Sequence, residues 1–159
     1  IAADQHQLSG STVETLSRPP AKQIVVQPRK PVDAEDQQCL AEALYWEARG
    51  EGEDGMLAVA SVIFNRVEDD RFPDTVCGVI YDGGETPPCQ FSWWCDGKND
   101  RPTEQDAWIA ATKLAKGVIA GGHADPTKGA LFYHHRKVRP EWAANKRLSA
   151  KIGSHFFYQ

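Results

Sequence analysis

A chain of 159 residues can bury one real core. Its 41% hydrophobic and 25% charged content is that of a soluble globular domain, and a net charge of −4 excludes the overall basicity of a nucleic-acid binder. No apolar run approaches the ~20 residues that a membrane-spanning helix needs.

Residues 1 to 34 lack periodicity and are broken by "RPPAKQ" and "QPRKP", so a flexible linker is expected there, able to tether the domain to something upstream. The chain opens at Ile1 without a leader-like segment, which predicts that upstream sequence has been removed. The domain proper is expected over 35–159. A first helix is predicted over 36–49, capped by Asp33 or Asp36 and ended by Arg49 and a left-handed Gly50. Its i, i+3, i+4, i+7 set reads Leu40, Ala43, Leu44, Glu47, which puts a carboxylate on the inward face. A second helix over 53–68 carries "MLAVASVIFNRV", apolar almost all round and therefore central. A short helix follows Pro73 and stops at Gly83-Gly84.

The segment 85–102 reads as a loop, with "FSWW" between Cys89 and Cys95. A third long helix is expected over 103–120, opened by a Thr103/Asp106 capping pair, with Trp108, Ala111, Thr112, Ala115, Val118 and Ile119 facing inward. "GALFYHH" and "SHFFY" have strand composition and can pair antiparallel, with "RPEWAANKRLSAKIG" a partly helical excursion between them. The class is helix-dominated α+β with a small antiparallel β region.

Four cysteines without a CxxC pair argue against a zinc ribbon or thioredoxin motif. Of three possible connectivities, Cys39–Cys77 with Cys89–Cys95 is favoured, which implies an oxidising compartment; four reduced buried thiols are the other reading. Charge is uneven: 33–55 holds eight acids against Arg49, and 128–151 holds seven bases against Glu141. Two solvated faces account for most of it, while a basic flank for an anionic polymer is the sharper reading.

Glu47 has two readings. It is a buried carboxylate paired with Arg49, Arg66 or backbone amides, or it is a general acid at the floor of a cleft, its pKa raised by apolar surroundings. Tyr45 and Trp46 flank it, and Trp93 and Trp94 offer either a local core or a platform for sugar faces.

"CLAEALYWEARGE", "GMLAVASVIFNRV", "FPDTVCGVIY", "CQFSWWCDG", "DPTKGALFYHH" and "IGSHFFY", in this order from Cys39 to Tyr158, resemble the SleB-type cell-wall hydrolase family, which includes spore cortex-lytic enzymes. The paired cysteines resemble its Gram-negative branch. The resemblance implies a lysozyme-like domain and a peptidoglycan muramidase of the lytic transglycosylase kind, cutting the MurNAc–GlcNAc bond and leaving 1,6-anhydroMurNAc ends. It makes the first Glu of "EARGE", Glu47, the acid and then the base. Phe91 and Ser92 match its Phe-Ser/Thr segment, and Arg139 and Trp142 in "VRPEW" match a segment near the glycan. Tyr45, Trp93, Tyr133 and His134 complete the candidate substrate contacts; strand neighbours face opposite ways, so one of Tyr133 and His134 faces the cleft, and Tyr133 is preferred.

Peptidoglycan glycan strands are the expected partner of a monomer in the periplasm or outside the cell, with no cofactor and no nucleic acid. Lysozyme-type hydrolysis of the same bond, a silent glycan-binding module, and a zinc amidase built on His123, Asp125, His134, His135 and His155 are the alternatives. The zinc reading is weakened by the absence of an HExxH motif.

Overall fold

Leu40, Ala43 and Leu44 have no exposed surface, and together they seat helix α1 (Ala34–Ala48) on the rest of the fold. In this computed structural model, which describes residues 31–84 and 89–159, the chain continues through α2 (Gly52–Glu68), α3 (Val76–Ile80), a 3-10 turn (Ser92–Cys95), α4 (Gln105–Gly121), β1 (Phe132–His135), a second 3-10 turn (Glu141–Asn145), β2 (Leu148–Ile152) and β3 (His155–Tyr158). The expected linker at 1–34 falls almost entirely outside the described residues. Helices dominate, and the sheet is small, as its composition predicts.

Asp33 caps α1 by accepting the Asp36 amide at 2.9 Å, and Gly50 takes the left-handed conformation at φ 87°. Asp36, itself buried, accepts the Cys77 amide at 3.0 Å and fixes the start of α3 against α1. The Cys39–Cys77 disulfide joins the same two helices, and Cys89–Cys95 closes the Trp loop. Helix α2 is central: Ala58, Val59, Ala60, Val62 and Ile63 are wholly enclosed. On α4, Ala111, Ala115 and Val118 are buried, while Trp108 and Ile119 pack at the core's edge.

Two local expectations need correction. No side chain caps α4; the Thr103 and Glu104 amides donate instead to Tyr45 Oη, at 3.1 and 3.0 Å. A tertiary acceptor replaces the local capping pair. The excursion between β1 and β3 is also more than helical, because "LSAKI" forms β2. The sheet order is β1-β3-β2, all antiparallel, and β2 bulges between Leu148 and Ala150. Ser149 sits in that bulge and donates to Thr127 O at 2.8 Å. The bulge breaks the period-2 pattern that would have revealed the strand.

Glu51 binds the sheet to the helices. Its carboxylate accepts the Ser154 amide at 2.9 Å, in the turn where Gly153 has φ 56°. A methyl group at Gly153 would collide with that carboxylate. Gly153→Ala should therefore lower stability by about 1–2 kcal/mol from left-handed strain alone, with the collision added, read as a fall in thermal midpoint.

Candidate active site

The last turn of α1 delivers Glu47 to the junction between the helices and the sheet. Tyr133, from β1, donates its hydroxyl to Glu47 Oε2 at 2.6 Å. The pair opens on a cavity of about 230 Å³ whose wall includes Arg66, Gln90, Phe91, Ser92, His135 and His155. Among the described residues, Glu47 is the one carboxylate lining it. A larger, mostly apolar hollow of about 600 Å³ lies elsewhere, between α2 and α4, and shares none of these residues.

Burial pushes the Glu47 pKa above the ordinary carboxylate range; the Tyr133 hydrogen bond, the Arg66 charge and the Trp93 indole pull against that rise without reversing it. Burial and the adjacent carboxylate hold the Tyr133 phenol well above its usual pKa, so it remains a donor. The expected ion-pair alternatives look different here. Arg49 turns away, to Tyr45 Oη at 2.8 Å and Glu104 at 3.2 Å. Arg66 acts on Glu47 through its charge, while its Nε donates to Leu131 O at 2.8 Å and its Nη1 to Gln90 Oε1 at 3.3 Å.

Those bonds place Tyr133. At the end of α2, Asn65 donates to Asp125 Oδ2 and to Ala130 O, both at 2.9 Å, while Arg66 holds the next carbonyl. The guanidinium also lies within 6 Å of the Phe72, Phe91 and Phe132 rings, at 5.0, 5.8 and 5.8 Å. The entry to β1 is thus pinned from α2, and Tyr133 rests on His155 and Phe157, with ring centroids 5.3 and 5.6 Å away. Sequence reasoning missed Asn65 altogether; it named Arg66 only as an ion-pair partner for Glu47 and His155 only as a possible metal ligand. The signal for the first two was present: an adjacent amide and guanidinium ending an otherwise apolar helix must find internal partners.

The other candidates divide. Phe91 and Ser92 line the cavity, the first buried and the second exposed. Tyr45 does not line it: the side chain is fully enclosed and its hydroxyl is taken up by the start of α4 and by Arg49. Trp93 is 7% exposed and presents no open face for a sugar; Trp94 packs on Tyr81 with centroids 4.0 Å apart. His134 borders the cavity, but its ring turns to the other face of the sheet, bonded to Tyr158 Oη at 2.8 Å. Trp142 lies on that outer face against Phe132, His134 and Tyr158, so it is not in the Glu47 cavity; neither is the exposed Arg139. Strand alternation separates Tyr133 from His134.

Two further acids near Glu47 or the Trp loop in the sequence, Glu51 and Asp96, do not line the cavity. Glu51 is committed to Ser154, and Asp96 accepts the Lys98 amide in an exposed turn. Nor do the histidines converge: among the described residues no three His, Cys, Asp or Glu side chains come together as a metal would require. His123 instead meets Ser61 Oγ at 3.1 Å, and Asp125 is occupied by Asn65, Thr127 and Gly129.

A family profile described as Cell Wall Hydrolase matches residues 50–158, beginning three positions after Glu47. A spore cortex-lytic enzyme from Halalkalibacterium halodurans is 34% identical over 123 residues, which cover 77% of this chain and 34% of that protein. The chain thus spans about a third of that relative's length. The catalytic domain of the germination-specific lytic transglycosylase SleB from Bacillus anthracis superposes with a TM-score of 0.64 at 36% identity, covering 80% of this chain and 96% of the other. The catalytic domain of the Bacillus cereus SleB protein gives 0.66 at 34% identity, covering 84% and 95%.

Proposed function

Because the chain belongs to the cell wall hydrolase family, we propose that it cleaves the MurNAc–GlcNAc bond of peptidoglycan as a lytic transglycosylase, with Glu47 as acid and then base. The observation that carries this is one carboxyl, raised in pKa, standing as the lone carboxylate of its cavity among the described residues. Hydrolytic glycosidases ordinarily need two carboxyl groups flanking the bond. A transglycosylase needs one, used twice. Glu47 gives its proton to the glycosidic oxygen as the C1–O bond breaks, and the bonding pair leaves with that oxygen. The carboxylate then takes the proton of the C6 hydroxyl while O6 closes on C1. The product is a 1,6-anhydro ring, and Glu47 is protonated again.

Tyr133 donates to the ionised form of Glu47 and steadies it between the two steps. Phe91 and Ser92 stand where a sugar would enter. The two disulfides suit an oxidising envelope compartment, where the glycan substrate lies. The deciding experiment is mass spectrometry of the soluble fragments released from purified peptidoglycan. Anhydro-muramyl ends are expected. Reducing muramyl ends would instead assign lysozyme-type hydrolysis, and cleavage between sugar and peptide would overturn both.

Activity should follow the protonated fraction of Glu47, so its alkaline limb lies above the normal carboxylate range. Tyr133→Phe removes a bond that favours the carboxylate, hence the Glu47 pKa rises and the limb moves to higher pH. The maximal rate should fall about 10–100-fold, the value of one hydrogen bond to a charged group. A limb that moved to lower pH would contradict this assignment.

A further inference from the structure

Trp93 holds a buried donor with nothing to receive it. The side chain is 7% exposed, and Nε1 meets no acceptor at hydrogen-bonding geometry. Buried polar groups are nearly always paired, so an orphan of this kind calls for an explanation. An indole N–H can only donate. The 3-10 turn that carries it (Ser92–Cys95) is clipped at its end by Cys89–Cys95 and is continuous with Phe91 and Ser92 of the cavity wall. Trp93 also bears on Glu47 itself, as one of the groups that hold the carboxyl's pKa down. The N–H thus favours the charged form of the carboxyl without meeting the geometry of a full hydrogen bond.

We propose that Trp93 is a positioning residue for the acid–base step, whose N–H stands beside the protonated Glu47 and closes a full hydrogen bond on the carboxylate once the proton has passed to the leaving oxygen. This rests on the reading of Glu47 as the acid. A bond that is poor in the ground state and good when charge has developed lowers the barrier, because it is stronger in the transition state than before it. Trp93 keeps its own proton throughout. When the carboxylate takes the C6 proton, the bond relaxes and the turn returns to its starting geometry. The other groups facing Glu47 are Arg66 from α2, Tyr133 and His135 from β1, and His155 from β3. Of these, Tyr133 already bonds one carboxyl oxygen, Oε2.

Trp93→Phe keeps a ring in place and deletes the N–H. On soluble glycan fragments, kcat should fall about 10–100-fold with KM nearly unchanged. The alkaline limb of kcat should move to higher pH, and the Glu47 carboxyl, followed by carbon-13 NMR in the free protein, should titrate higher by the same amount. A benzothiophene analogue at position 93, with sulfur in place of N–H, keeps the bicyclic shape and must give the same shift if the phenylalanine variant folds poorly. An unchanged limb and titration, or a raised KM with kcat kept, would overturn the proposal and return Trp93 to packing. The NMR titration does not depend on which bond is cut. A Glu47→Gln variant as active as the parent would therefore remove the acid reading without altering what the titration says of Trp93.

Discussion

Glu47→Gln should abolish the release of soluble muropeptides while leaving the fold intact, with a loss of at least about 10³-fold. General acid–base catalysis contributes about 10²–10⁴-fold, and here one group serves both steps. Glutamine keeps the shape and can still accept the Tyr133 hydroxyl now bonded to Oε2. It cannot give up a proton. Stability should move the other way. A carboxyl whose folded pKa is raised costs the folded state free energy once pH exceeds its unfolded value, and the cost grows until the folded pKa is passed. The glutamine variant carries no such cost, so its thermal midpoint should equal the parent's in acid and exceed it at pH 8. Binding to sacculi should survive. A variant that still released muropeptides at the parent's rate would sink the acid assignment and favour a silent glycan-binding module.

Removing the two disulfides separately should have opposite emphases. Cys39 and Cys77 are 38 residues apart, and opening a loop of that length frees the unfolded chain by about 4 kcal/mol. That is a large part of the ~5–15 kcal/mol that holds a domain together. Cys39→Ala with Cys77→Ala should lower the thermal midpoint by about 10–20 °C, and activity below the new midpoint should be largely kept. Cys89 and Cys95 are 6 apart, so the same reasoning gives about 2 kcal/mol. Their loop carries Phe91, Ser92 and Trp93 to Glu47, however, and Cys89→Ala with Cys95→Ala should lose activity well before it loses the fold. Calorimetry and muropeptide release, measured on both pairs, distinguish the roles. Equal effects on both readouts would refute the division.

The route from residues to site was legible in part. Helix periodicity alone put Glu47 on the buried face of α1, since Leu40 and Leu44 leave it nowhere else to point. Alternation along "FYHH" separated Tyr133 from His134, and the structure puts the first against Glu47 and the second against Tyr158. Tyr45 escaped that logic. Its neighbour Glu47 reaches the cavity, but residues two apart on a helix diverge by about half a turn, and Tyr45 became the acceptor that starts α4. Trp142 and Arg139 escaped it too, because their distance from Glu47 depends on how the chain crosses the sheet.

By itself, then, the sequence determined what short-range periodicity and the chemistry of single side chains can determine. That includes four helices with their order, two of the three strands, the favoured cysteine pairing, and one carboxyl out of place. Tertiary structure decided which partners that carboxyl met. Tyr133 lies 86 residues from Glu47, and Arg66 reaches Leu131 across 65. Contacts at such separations are set by the packing of whole elements, which no local pattern records. It also decided that Glu51, one turn on and chemically identical, would be spent on a turn amide. The same functional group became a candidate acid in one place and a brace in the other, because burial raised one pKa and hydrogen bonding lowered the other.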